Sequence, residues 1–255
     1  MSSKPTATDG FKQKEKNLFN QVLSLYDNKQ FKQSLKNCEF VLEKHPDHPE
    51  TLAMKALNMN AMKKKTEAFD WIKKALFKNL GNFTCWHVYG ILHRGNKNYD
   101  EARKAYLNAL RYDAGNANVL RDLGQLQVHL RDYEAYAETR RQLLVGKASV
   151  QANWITYAVA LYLAKDFNRA LEVLASFEKT MKDEKQEKLK KKDRTELTLF
   201  EARIYEAMGQ QQKAIEFITK SKVVANLVAK NEVLARLYNA VGNKDKAVDH
   251  LEELL

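Results

Sequence analysis

Proline and glycine are scarce, with 3 Pro and 9 Gly in 255 residues. A sandwich or barrel built of short strands needs turn residues about every 8–12 positions, so this shortage excludes such folds and favours long helices on short loops. Cysteine is equally rare. Cys38 and Cys85 make no disulfide framework, which predicts a reducing compartment. No long apolar run exists either: Trp154 to Ala164 spans 11 residues, against roughly 20 for a membrane helix. Residues 1–10, MSSKPTATDG, have no apolar stretch of the secretory kind. The expectation is a soluble cytoplasmic protein with no membrane partner. What the chain does have is enough hydrophobic content for a sizeable core, 44%, and an uneven positive charge. Of the net +11, residues 1–116 hold 20 basic against 12 acidic side chains, residues 195–227 hold 4 of each, and residues 228–255 hold 4 against 5. A local excess of this kind points to a polyanionic partner for particular faces.

The hydrophobic pattern repeats. Val22, Ala56, Gly90, Gly124 and Ala158 follow one another at 34 residues, and Ser34, Ala68, Ala102, Tyr136 and Ala170 keep the same step. Leu18, Leu52, Trp86, Leu120 and Trp154 form a third series; Val41, Ala75, Ala109, Leu143 and Phe177 form a fourth. Coincident series at one period indicate a repeat array. Each unit reads as two amphipathic helices around a short turn, as in Thr84–Arg94 and Asp100–Tyr112 around GNKNY. One pair cannot bury its apolar face alone, so the units must stack. Large residues at Trp86, Tyr89, Tyr99 and Tyr106 with small ones at Gly90, Ala102 and Ala109 resemble the tetratricopeptide (TPR) motif. The expected fold is all-α, a TPR right-handed superhelix or α-solenoid.

The frame predicts a basic polar tail at 1–14, five helix pairs over 15–180, and two further pairs over 195–255 with the array truncated at its C-terminus. Between them the step from Ala158 to Ala202 is 44 residues, ten more than one period, and the surplus falls on the lysine-rich 181–194. That stretch reads either as a solvated helical extension, with Glu184 before Lys188 and Glu187 before Lys191, or as a disordered loop insertion.

Catalytic signals are thin. His45-Pro46-Asp47-His48 lies in a turn between units and lacks further ligands at metal-site spacing. His87 and His93 are six apart and do not share a helix face. Cys85 beside Trp86 reads as packing, with no acid–base partner in reach. LLVGKA at 143–148 has Arg141 and Ala148 where a phosphate loop needs Gly and Ser or Thr, and no strand precedes it. No catalytic residue, cofactor, metal or small-molecule substrate is expected.

Several segments go beyond what a generic repeat demands: ETLAMKALNMN at 50–60, CWHVYGILHRGNKNYDEARKAYLNAL at 85–110, LRDLGQLQVHLRDYEAYAETRRQLL at 120–144 and NWITYAVALYLAKDF at 153–167. In these the chain resembles the N-terminal part of the auxiliary subunit of NatA-type N-terminal acetyltransferases, over about residues 15–180. The resemblance implies a non-catalytic scaffold that holds a separate catalytic N-acetyltransferase subunit, mainly through later repeats, beside the ribosome. It departs from the TPR co-chaperones, whose clamp needs Lys and Asn four apart where this chain has Phe19 and Leu23, Ala53 and Leu57, and His87 and Ile91. The alternative is a generic adaptor that takes a peptide or helix in its concave groove.

Two sets of site residues follow. Residues 49–82 hold seven Lys against three acids. Lys63, Lys64, Lys65, Lys73, Lys74 and Lys78, with Lys4, Lys12, Lys14 and Lys16 of the tail, are the expected contacts to ribosomal RNA. They would meet backbone rather than bases, because side chains do not enter the A-form major groove. Ile155, Val159, Tyr162 and Leu163 form an apolar strip on the fifth first helix. It faces either the groove or a cover supplied by 181–194. In repeat four, Arg121, Gln125 and His129 stand at the corresponding inward positions.

Overall fold

The computed structural model describes residues 10–183, 191–221 and 226–254. Among these every regular element is an α-helix, and the chain divides into two compact units, Met1–Arg131 and Asp132–Leu255. The first unit contains α1 (Gln13–Asp27), α2 (Phe31–Lys44), α3 (Pro49–Ala61), α4 (Lys65–Lys78), α5 (Phe83–Gly95), α6 (Tyr99–Tyr112) and α7 (Ala117–His129). The second contains α8 (Tyr133–Gly146), α9 (Gln151–Leu163), α10 (Phe167–Asp183), α11 (Lys191–Ala207), α12 (Gln211–Lys220), α13 (Leu227–Ala240) and α14 (Lys244–Glu252). First helices begin at 49, 83, 117 and 151 and second helices at 31, 65, 99, 133 and 167, the predicted step.

Side-chain caps punctuate the starts. Asn82 accepts from the Cys85 N–H at 3.1 Å, Asn116 from Val119 at 3.2 Å, and Asp132 from Ala135 at 3.3 Å. Each satisfies an amide that the helix leaves open, worth about 1 kcal/mol. α1 begins inside the expected tail because the Glu15 carboxylate accepts the Lys12 N–H at 2.7 Å. Lys44 and His45 of the next helix end approach the same carboxylate, each at 3.2 Å.

The turns within pairs share one device. Lys29, Lys63, Lys97, Arg131 and Lys165 all have φ between 57° and 65°, and Gly209 and Gly242 supply the glycine form of the same positive φ. Lys63 donates to the Asn60 carbonyl and Lys64 to that of Met59, both at 2.9 Å, and the pattern recurs at Lys97–Asn98 and Lys165–Asp166. This is the Schellman closure, in which a left-handed residue lets the chain reverse while the last carbonyls are paired. A non-glycine residue there costs about 1 kcal/mol, offset by the two bonds it allows.

The small-residue series are the seams of the array. Val22, Ala56, Ala158, Ser34, Ala68, Ala102 and Ala170 are fully buried, and Gly90 and Gly124 are buried with them. A methyl on Gly90 would stand 2.5 Å from the ring of Tyr106, so only glycine admits that ring. Ser34 sits where other repeats have Ala and is satisfied: its hydroxyl donates to the Val22 carbonyl at 2.9 Å and accepts from Asn58 at 3.0 Å. Trp86 and Trp154 donate their indole N–H to the carbonyls of Leu80 and Ala148, at 2.7 and 2.8 Å, tying each first helix to the loop before it.

The ten-residue surplus is divided. α10 continues through Asp183 and α11 starts at Lys191, each 17 residues long, so both ends of the 181–194 stretch are helical. Residues 184–190, with the expected Glu184–Lys188 and Glu187–Lys191 pairs, lie outside the described residues.

Candidate RNA-contact surface and apolar groove

Lys63 and Lys64 stand in the exposed turn between α3 and α4, Lys65 opens α4, and Lys73, Lys74 and Lys78 lie on its exposed part further along. From Lys65 to Lys78 the helix rises about 20 Å. Lys63–Lys65 and Lys78 therefore stand at opposite ends of α4, with Lys73 and Lys74 between them, about 12 Å along the helix from Lys65. Lys12 caps α1, and Lys14 and Lys16 lie on its first turns. They stand at the same edge as Lys78, because α1 starts where the α2–α3 loop passes. Phe11 packs on His45 and His48 of that loop, at ring separations of 4.8 and 4.4 Å, and Lys78 binds Asp47 at 2.8 Å. Lys64 pairs with Glu67 at 3.2 Å. The Lys74 ammonium lies 5.2 Å from the Trp71 ring, whose other cationic neighbour is Lys55 at 4.1 Å. Lys63, Lys65 and Lys73 make no ion pair with another described residue. Lys4 lies outside the described residues.

In the second unit an open groove of about 740 Å³ runs between α9, α11 and α13. Ile155 and Val159 line it with Leu197, Phe200 and Val233, and Arg203 and Glu232 stand at its rim. Tyr162 and Leu163 do not. Tyr162 packs between Phe167 and Phe200, at 5.7 and 5.6 Å, and both side chains join the core beneath. The residues of α11 and α13 in the groove lie beyond the break in the repeat frame, where the 34-residue step no longer locates inward positions. On the first helices of repeats three and four, α5 and α7, several inward side chains are polar and bonded to one another. His87 Nε2 lies 2.7 Å from Asp122, Arg94 donates to Asp122 at 3.0 Å and to Gln125 at 3.2 Å, Arg121 donates to Asn118 at 3.1 Å, and His129 packs on Tyr99. Burial pushes the Asp122 carboxyl up, but His87 and Arg94 outweigh it and hold the group below its usual range.

The remaining reactive side chains are structural. Burial pushes the Cys38 thiol up to about 12 and the Cys85 thiol higher still, so neither is a nucleophile near neutrality. His48 caps α3, accepting from the Thr51 N–H at 3.3 Å. Among the described residues no group of three His, Cys, Asp or Glu is placed to hold a metal.

Helix-pair repeats with these seams have clear relatives. The auxiliary subunit NAA15 of the Arabidopsis thaliana N-terminal acetyltransferase A complex is 38% identical over 236 residues, covering 92% of this chain and 26% of that protein. The human N-alpha-acetyltransferase 16, NatA auxiliary subunit, is 47% identical over 169 residues, 66% of this chain and 20% of its own length. The chain thus spans about a quarter of the length of these curated relatives. A solved structure of Naa15/Naa10 bound to HypK-THB superimposes with a TM-score of 0.77 at 35% identity, over 95% of this chain and 37% of the matched one. The Psidin N-terminal TPR repeats region matches residues 15–255, and the chain belongs to that family of TPR-repeat proteins.

Proposed function

We propose that this chain is the opening TPR portion of a non-catalytic auxiliary subunit of an N-terminal acetyltransferase complex. The observation that carries the reading is the likeness to the Naa15 chain of the Naa15/Naa10 structure along 95% of this sequence. Catalysis belongs to a partner chain, the N-acetyltransferase subunit, held mainly by repeats that follow. The basic first unit supplies the ribosome contact in the cytoplasm, its lysines meeting the backbone of ribosomal RNA. No small molecule or membrane enters this role.

The test uses the complete protein in its own cells. Affinity purification is expected to bring down an acetyltransferase subunit and ribosomes together. Changing Lys63, Lys64, Lys65, Lys73 and Lys74 to Glu is expected to weaken ribosome co-sedimentation while leaving helicity unchanged, since these side chains are exposed and each ion pair or ring interaction they make is worth at most about 1 kcal/mol. The triple variant at 63–65 and the double variant at 73–74, about 12 Å apart along α4, distinguish which part of this face binds. Parental co-sedimentation by the five-fold variant at physiological salt would exclude this face and leave the lysine-rich 181–194 as the next anchor.

A second reading rests on the groove of the second unit, whose apolar floor at Ile155, Val159, Leu197, Phe200 and Val233 suits one face of a peptide or helix. Val159→Glu is expected to release such a partner while retaining ribosomes. A variant that keeps every co-purifying protein would rule this reading out.

A further inference from the structure

α4 carries a side chain that the repeat does not require. Phe77 is 85% exposed. One period before and one after, the same position holds Glu43 and Arg111, both exposed, so the packing of helix pairs asks for nothing apolar there. Two further exposed apolar side chains lie at the loop that follows: Leu80, 61% exposed in the loop after α4, and Tyr112, 48% exposed, whose ring edge comes within 3.9 Å of a Cβ built on Gly81 in that loop.

The surroundings of Phe77 are cationic. Lys73 lies one turn before it on the same face, exposed and without an ion pair to another described residue. Lys74 is exposed beside it with its ammonium toward the Trp71 ring rather than a carboxylate. The nearest carboxylates to these lysines are Asp70, one turn before them on α4, and Glu39 and Glu43, which line a shallow pocket with Lys74; none of the three is ion-paired to Lys73 or Lys74. A free aromatic face flanked by unpaired ammonium groups is the combination that holds single-stranded nucleic acid. The ring stacks on a base, whatever its identity, and the cations follow the phosphates. A duplex offers such a ring nothing, because its bases are already stacked on each other.

We propose that this face of α4 binds an unpaired nucleotide of RNA, its base stacked on Phe77 and its flanking phosphates met by Lys73 and Lys74. The proposal rests on the RNA-contact reading of the lysines and changes what they recognise: a bulge, loop or single strand rather than a regular helix.

The complete protein is titrated with a short single-stranded oligouridine and with a duplex RNA of equal length. A second single strand carries a fluorescent adenine analogue whose emission reports stacking. Phe77→Ala is expected to weaken single-strand binding on the order of tenfold, to abolish the emission change, and to leave duplex binding and the salt dependence as in the parent. Phe77→Trp is expected to retain both affinity and emission change. Lys73→Gln with Lys74→Gln is expected to lower the slope of log K against log salt by roughly 0.7 for each phosphate of the single strand that is no longer neutralised.

Equal single-strand affinity of Phe77→Ala and the parent overturns stacking, as does an equal loss on single strand and duplex. Loss of a co-purifying protein from Phe77→Ala with RNA binding intact assigns the patch to a protein and overturns the proposal. Binding to phosphatidylserine vesicles without single-strand binding assigns it to lipid, with the same consequence. The ribosome reading is judged apart from all of these, by co-sedimentation of the five-lysine variant.

Discussion

Gly90 shows how much one residue decides. Its missing side chain admits Tyr106, whose ring is fully buried between α5 and α6. Gly90→Ala gains up to about 1 kcal/mol in helix propensity but forces that ring off its position, which costs about 1–3 kcal/mol in a packed core. Packing wins, and the variant is expected to be less stable by about 1–2 kcal/mol in urea unfolding. Stability equal to or above the parent would show that the ring relaxes freely. This residue was legible in the sequence because its period-34 counterparts are also small. The left-handed lysines at 29, 63 and 97 were not, since a lysine in a turn carries no mark of positive φ. Phe77 was half legible. Its place between Glu43 and Arg111 is visible in the spacing, but an apolar residue in an amphipathic helix is read as core until its exposure is seen.

Between elements, α10 and α11 meet with a carboxyl in a poor environment. Burial, and after it the negative charge of Glu178 on α10, together raise the Glu201 pKa to about 7. The folded state then keeps a proton through a range in which the unfolded chain, near 4.5, has released it. Its favourable contribution is complete below the unfolded value and is lost as pH rises through about 7. The stability of the second unit is expected to fall by about 1–3 kcal/mol between about pH 5 and about pH 8, and Glu201→Gln to flatten that slope. An equally steep slope in the variant would place the titrating group elsewhere. Glu15 works in the opposite sense. The Lys12 N–H, His45 and Lys44 hold its pKa down to about 2, so the tie between α1 and the end of α2 persists above the ordinary glutamate value and is lost only as pH falls toward about 2. The same tie explains why the expected tail of 1–14 yields its last two residues to α1. The helix count up to α10 was readable from periodicity alone, whereas the lengthened α10 and α11 were not, because a polar lysine-rich run fits helix and loop equally well.

For the whole molecule the question is where the positive charge acts. Each phosphate neutralised adds roughly 0.7–0.9 to the slope of log K against log salt, so loss of Lys63, Lys64 and Lys65 is expected to lower the ribosome-binding slope by about 2–3 if all three engage. An unchanged slope in that triple variant would confine the contact to the opposite edge, near Lys12, Lys14 and Lys78. The sequence by itself determined the all-α repeat architecture, the helix pairs over the first five repeats, the small-residue seams and the basic bias of the first unit. These follow from local periodicity and composition, which every repeat restates. Only the tertiary structure decided that Lys78 shares an edge with the start of α1. It alone showed that Ile155 and Val159 face a groove while Tyr162 and Leu163 enter the core, and that Phe77 stands bare among cations. The physical reason is that exposure depends on which neighbour lies across a seam, and residues from helices far apart in the chain settle that.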